Sequence, residues 1–149
     1  KLYLRLTYSR PAKKDREVFG KLISYGKVWR VGANEASEIK FLKDVTINGK
    51  TLKAGTYTLY MIPTETDWTV IFNSDLDVWG AYSYDETKDV LRVKAASKKM
   101  TETLENLSIQ FAKLLTLEYD IKENQTCIKT LIRIFEFFEM NNSFYIDKF

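Results

Sequence analysis

No histidine occurs anywhere in the 149 residues, cysteine occurs once and proline only twice. The missing imidazole removes histidine-ligated metals and the Ser-His and Cys-His pairs that activate nucleophiles near neutral pH. With Cys127 alone, no disulfide forms within the chain and no cysteine-rich zinc site can be built. The longest apolar runs fall far short of the roughly 20 residues that a helical membrane span needs. Also missing are a Lys/Arg cluster, an internal repeat, a low-complexity linker and any nucleic-acid-binding motif. The chain opens at Lys1 with no targeting segment, as expected of a mature or trimmed form.

What is present is one domain's worth of ordinary globular composition, 45% hydrophobic and 29% charged, long enough to bury a core without staples. The formal net charge of +3 conceals an asymmetry. Residues 1–55 carry 13 Lys/Arg against 5 Asp/Glu, or +8; residues 56–149 carry 10 against 15, or −5. Such a gradient suits either an unevenly charged solvated surface or an anionic partner. Because the basic residues are spread out, nucleic acid is not an expected partner.

Strand signals dominate the first 111 residues. Leu2, Leu4 and Leu6 alternate with Tyr3, Arg5 and Thr7, the period of a half-buried strand, which stops at Pro11. Val18, Phe19 and Leu22 predict one packed helical turn, ended by Gly20. A strand is expected around Ile39 and Phe41. VTINGKTL predicts a hairpin, with Asn48-Gly49 supplying the positive φ of a type I′ turn. Further strands are predicted over Thr56–Pro63, Trp68–Asn73, Val90–Val93 and Leu107–Phe111, with another over Leu114–Tyr119; Ser74–Asp89 reads as a long polar loop. Closely spaced strands without interleaved helices predict an all-β fold, an antiparallel β-sandwich with a barrel-like arrangement as the alternative. The tail reads differently: Ile128, Leu131, Ile132, Phe135 and Phe138 share a helical face, predicting an amphipathic C-terminal helix over 126–140. The expected division is therefore a β-sandwich domain over 1–120 and an atypical tail over 121–149.

The stretch Tyr25–Ser37, YGKVWRVGANEAS, fits neither a helical nor a strand period. Something other than core packing selects its residues. Arg10, Arg16, Trp29, Arg30, Asn34 and Glu35 lie in or just before it and form the candidate ligand site. Arginine holds carboxylates or phosphates bidentately and stacks on aromatic faces. The structural alternative is an ion pair such as Arg30 with Glu35 that clamps a long loop whose backbone groups need partners. Trp79, beside Gly80 in the polar loop, joins the candidate set; Trp29, Trp68 and Trp79 together would make a sugar-stacking platform. Trp68 sits among apolar residues and is expected in the core. Glu35 with Asp85, Glu86 or Asp89 would serve a histidine-free glycoside hydrolysis, and Asp75, Asp77 and Asp85 would offer oxygen ligands to calcium. Neither set has a specific spacing, so no catalytic or metal residue is assigned and no cofactor is expected.

Several motifs follow one another in a single order: YSRP (Tyr8–Pro11), Arg16, Phe19-Gly20, YGKVWRVGANEAS, DVTINGKTLKAGTYTLYMIP (Asp44–Pro63), WTVIFN (Trp68–Asn73) and WGAYSYDETKDVLRVK (Trp79–Lys94). Over residues 3–111 this series resembles a family of uncharacterised exported bacterial proteins, the twenty-nine-eleven domain of unknown function. The resemblance implies a compact β-domain in a periplasmic or extracellular location and brings no activity with it. Beyond residue 112 the family's closing strands are not recognisable, so a tail foreign to the family is expected. The combined reading is a non-catalytic exported β-domain that binds a small polar ligand, carbohydrate or anionic. The alternatives are a carboxylate-dependent hydrolase and a structural or interaction domain without a small-molecule site. Oligomeric state is left open.

Overall fold

The structure, a computed structural model, describes residues 4–99, 103–115, 128–135 and 140–148. Within them the alternating segments form ten strands: β1 (Leu4–Thr7), β2 (Ser37–Phe41), β3 (Val45–Ile47), β4 (Lys50–Leu52), β5 (Gly55–Pro63), β6 (Asp67–Asn73), β7 (Asp89–Lys99), β8 (Ser108–Leu115), β9 (Ile128–Phe135) and β10 (Met140–Lys148). All pairings between these strands are antiparallel, along the path β1-β2-β5-β6-β7-β10-β3-β4, with β9 beside β10 and β8 beside β9.

Register aligns the apolar residues in rows across the central strands. Met61 lies opposite Val70 and Val70 opposite Val93; Leu59, Phe72 and Leu91 make a second row, and Pro63, Trp68 and Ala95 a third. Period-two alternation puts each row on one face of the sheet. Across that face stand Val45 and Ile47 of β3, Leu52 of β4, Leu107, Ile109 of β8, and Val18, Phe19, Trp29 and Val31 from the loops, all in one buried cluster. The sheet thus folds over its own core as an antiparallel β-sandwich. It does not close into a barrel, because β1 and β4 end the path unpaired with each other. The other face carries a smaller buried patch, Tyr60 and Ile71, covered by the loop after β6, where Tyr84 packs edge-on against Tyr60 at 5.1 Å.

The Asn48-Gly49 hairpin forms as predicted, with φ of 48° and 75° at the two turn residues. Three expectations are corrected. Residues 18–23 form a tight loop instead of a helical turn. Ile23 N–H donates to the Val18 carbonyl at 2.7 Å, Phe19 bridges Ile23, and Leu22 is exposed. Leu114 and Leu115 belong to β8, while the remainder of the strand predicted to Tyr119 lies outside the described residues. Finally, 128–135 is strand and not helix, paired on both sides by β8 and β10. Ile128, Thr130, Ile132 and Ile134 are β-branched at every second position, which favours the extended backbone over the helix that the wider apolar spacing suggests. Residues 126–127 and 136–139 of the predicted helix lie outside the described residues.

Candidate functional site

The Tyr25–Ser37 stretch is laid along β5 beyond the end of β2 and then leaves it. Gly26 N–H donates to the Pro63 carbonyl at 2.9 Å, and Trp29 exchanges two backbone hydrogen bonds with Met61 at 2.7 and 2.9 Å. The chain bows outward over residues 30–36 and returns as β2, where Ser37 N–H closes the bow on the Arg30 carbonyl at 3.1 Å and Ser37 pairs with Leu59. A bowed segment has no ladder, so its polar backbone groups need other partners. The Ser37 hydroxyl donates to the Val31 carbonyl at 2.6 Å, and Ala33 N–H donates to Ser9 Oγ at 2.6 Å. Gly80 N–H reaches the Asn34 carbonyl at 3.1 Å, and Ala36 N–H the Val78 carbonyl at 3.0 Å. Val31, fully buried, is held at φ 58°, a backbone region that costs a β-branched residue on the order of 1–3 kcal/mol. Gly32 is required by space: a Cβ there would meet Ser9 Oγ at 2.5 Å.

Beneath this bow is a cavity of about 430 Å³. Its apolar wall includes Val18, Ile23, Val28 and Trp29, and its cations are Arg16, Lys27 and Arg30; no carboxylate lines it. The Trp29 ring is fixed from behind by edge-to-face contacts with Phe19 (5.7 Å) and Trp68 (6.3 Å), themselves 4.7 Å apart. Arg30, which lines the cavity, has its Nε buried with no hydrogen-bond acceptor.

The predicted site residues separate into three groups. Arg16, Trp29 and Arg30 come together at the cavity. Asn34, Glu35 and Trp79 meet elsewhere, where Glu35 and Trp79 lie opposite each other in a short antiparallel bridge. Arg10 joins neither: its Nε donates to the Leu107 carbonyl at 3.0 Å and its guanidinium reaches Ser108 Oγ at 3.1 Å, tying the chain after β1 to the start of β8. Arg16 also donates to the carbonyls of Ala12 and Lys13. Arg30 and Glu35 are not an ion pair, so the alternative ion-pair clamp is not formed, and hydroxyl and backbone partners hold the bow. No three-tryptophan platform exists, because Trp68 is wholly buried while Trp79 is 60% exposed. Lys27 is a cavity residue that sequence reasoning passed over; its place in the same aperiodic stretch was the available signal.

Sequence reasoning also missed a polar network under the loop after β6. Asp89 accepts from Tyr84 Oη (2.6 Å), Arg92 Nε (2.5 Å) and Asn73 Nδ2 (2.7 Å), and Arg92 also donates to Tyr84 Oη at 2.7 Å. Burial, with the bond to Asp89 adding, pushes the Tyr84 hydroxyl up to about 12. Burial likewise raises Tyr60, helped by Asp75 and Asp89. Arg92 is raised as well: burial works against its charge, but the bonds to Asp89 and Tyr84 outweigh it. Glu86 pairs with Arg92, and Asp85 caps a 3-10 turn at Glu86–Lys88, so Asp85, Glu86 and Asp89, three of the carboxylates considered for hydrolysis, hold the loop together. Among the described residues no three His, Cys, Asp or Glu side chains converge as metal ligands, and Asp75 pairs with Lys88 at 2.9 Å. Among them, too, no helix is long and apolar enough to cross a membrane.

No curated protein and no solved structure matches the chain. A family profile does, described as a protein of unknown function, DUF2911, over residues 1–126. The match runs past residue 112, where the motif series gives out, so the chain up to residue 126 is not foreign to the family. The motif series from Tyr8 to Lys94, built into the bowed stretch, the hairpin and the central strands, lies wholly inside it, and the chain belongs to this DUF2911 family of unknown function.

Proposed function

We propose that the chain is an exported, non-catalytic β-domain that binds a small organic anion in the cavity under the Tyr25–Ser37 bow. Arg30 carries the reading. Its Nε is buried without an acceptor, and the residue lines a cavity with two further cations and no carboxylate. An unsatisfied buried donor costs about 1–3 kcal/mol, more when charged. A carboxylate, sulfonate or phosphate would supply the missing acceptors, and a guanidinium takes such groups bidentately. Val18, Ile23, Val28 and Trp29 favour an apolar body behind the charged end. A cavity of about 430 Å³ has the size of a small-ligand pocket. A neutral sugar would leave all three cations facing an uncharged partner, so the anionic half of the polar-ligand expectation is preferred here. The exported location rests on the family resemblance.

The test is thermal unfolding with acetate, benzoate, succinate, phosphate, sulfate and neutral monosaccharides, on wild type and Arg30→Gln. A ligand at 100 times its dissociation constant stabilises by about 2.7 kcal/mol, several degrees for a domain of this size. The expected result is a shift with benzoate or another organic anion that Arg30→Gln loses. That variant should itself be at least as stable as wild type, since a buried N–H without an acceptor is gone. Identical shifts in both proteins, or none with any anion, would remove the proposal.

A further inference from the structure

The geometry points to a second, separate binding site on the surface: a platform for a neutral oligosaccharide, formed by Trp79, Tyr82, Glu35 and Asn34. It does not rest on the cavity reading, with which it shares no residue.

The bridge between the bow and the loop after β6 sets the arrangement. Its two hydrogen bonds, Gly80 N–H to the Asn34 carbonyl and Ala36 N–H to the Val78 carbonyl, flank Glu35 and Trp79 without involving their own backbone groups. Opposed residues of that kind are the close pair of an antiparallel ladder, with side chains on the same face and Cβ atoms roughly 4.5–5.5 Å apart. The Glu35 and Trp79 side chains therefore leave the bridge on the same face, and both residues are exposed. Tyr82 is 89% exposed, and its ring lies over Gly80: a Cβ on Gly80 would meet two ring carbons at 2.8 and 2.9 Å. Two exposed aromatic side chains thus flank Gly80.

Their exposure is built in. Asp75 N–H donates to Asn73 Oδ1 at 2.8 Å, Asp77 N–H to Glu38 Oε1 at 2.9 Å, and the Thr58 hydroxyl to the Asp75 carbonyl. Asn34, Asp77 and Gly80 take left-handed backbone angles, which fix the bends on either side of the bridge. The backbone that carries Trp79 is thus held before binding, which limits the freedom lost on occupation.

The chemistry selects the ligand class. Flat aromatic faces suit the C–H faces of pyranose rings, a carboxylate accepts from neighbouring hydroxyls, and the Asn34 amide offers both donors and an acceptor. Stacking alone would also suit nucleobases. Single-strand nucleic-acid sites, however, add cations along the backbone, and these four residues supply a negative charge instead.

Affinity electrophoresis through gels containing a soluble neutral polysaccharide (xyloglucan, mixed-linkage β-glucan, galactomannan or starch), with titration calorimetry on the corresponding oligosaccharides, tests the assignment. Wild type should be retarded by at least one of them. Trp79→Ala should weaken binding at least tenfold, Tyr82→Ala and Glu35→Gln severalfold, all with unchanged circular dichroism. An oligosaccharide that binds should also shield Trp79 from iodide quenching. No retardation in any gel and no heat at millimolar oligosaccharide would overturn the proposal, as would binding that Trp79→Ala leaves intact. Trp79→Ala abolishing self-association instead would give the patch to a protein contact and overturn it too.

Discussion

At the scale of single residues, Tyr84 links the polar network to pH. In the fold its hydroxyl is raised from 10.0 to about 12, because burial and the Asp89 bond favour the neutral form. A group whose folded pKa lies above its unfolded value contributes stability that is complete below the unfolded value and is lost as pH rises through the folded one. Unfolding by urea across pH 9 to 12.5 should therefore show stability falling between about 10 and 12. Tyr84→Phe should flatten part of that fall, leaving the share of Tyr57 and Tyr60, which burial also raises. An undiminished slope in the variant would detach Tyr84 from the effect. None of this network is visible as a motif. Asn73, Tyr84, Asp89 and Arg92 sit in three different pieces of chain, and only the strand register brings them together.

At the scale of elements, what was legible followed local rules. Asn48-Gly49 announces its turn because both positions need positive φ, and β5 and β6 announce themselves by their aromatic and β-branched residues and by the stop at Pro63. Gly49 tests the hairpin cleanly, since a Cβ there would touch nothing within 4 Å while φ is 75°. Gly49→Ala should cost about 1–2 kcal/mol through backbone conformation alone, read from the urea midpoint. A neutral result would mean that the turn relaxes. What was not legible was nonlocal. The bow over residues 30–36 was singled out for its aperiodicity, yet its partners Ser9, Val78 and Gly80 come from distant positions. The candidate constellation accordingly split, Arg16, Trp29 and Arg30 going to the cavity, Asn34, Glu35 and Trp79 to the bridge, and Arg10 to the start of β8. β9 failed for another reason: its apolar residues satisfy both periods, and pairing on two sides decides for strand.

At the scale of the whole molecule, the charge asymmetry acquires a location. All three cavity cations, Arg16, Lys27 and Arg30, come from the basic first 55 residues. Attraction of an anion to the Arg16 and Lys27 heads, exposed to solvent, is screened by salt, with a Debye length of about 10 Å at 0.1 M and about 3 Å at 1 M. Benzoate affinity, followed by calorimetry, should weaken as sodium chloride is raised between those limits; a salt-independent affinity would mean that the cations do not contribute. The tryptophans add an optical consequence. Trp29 and Trp68 are buried edge-to-face behind the cavity, while Trp79 stands 60% exposed beside Glu35. The first two emit from an apolar setting, towards the blue, out of reach of aqueous quenchers. The third emits from water and is open to them. The chain therefore carries an internal pair of lamps, one behind each proposed site, and a single emission spectrum reports which of the two a ligand has entered.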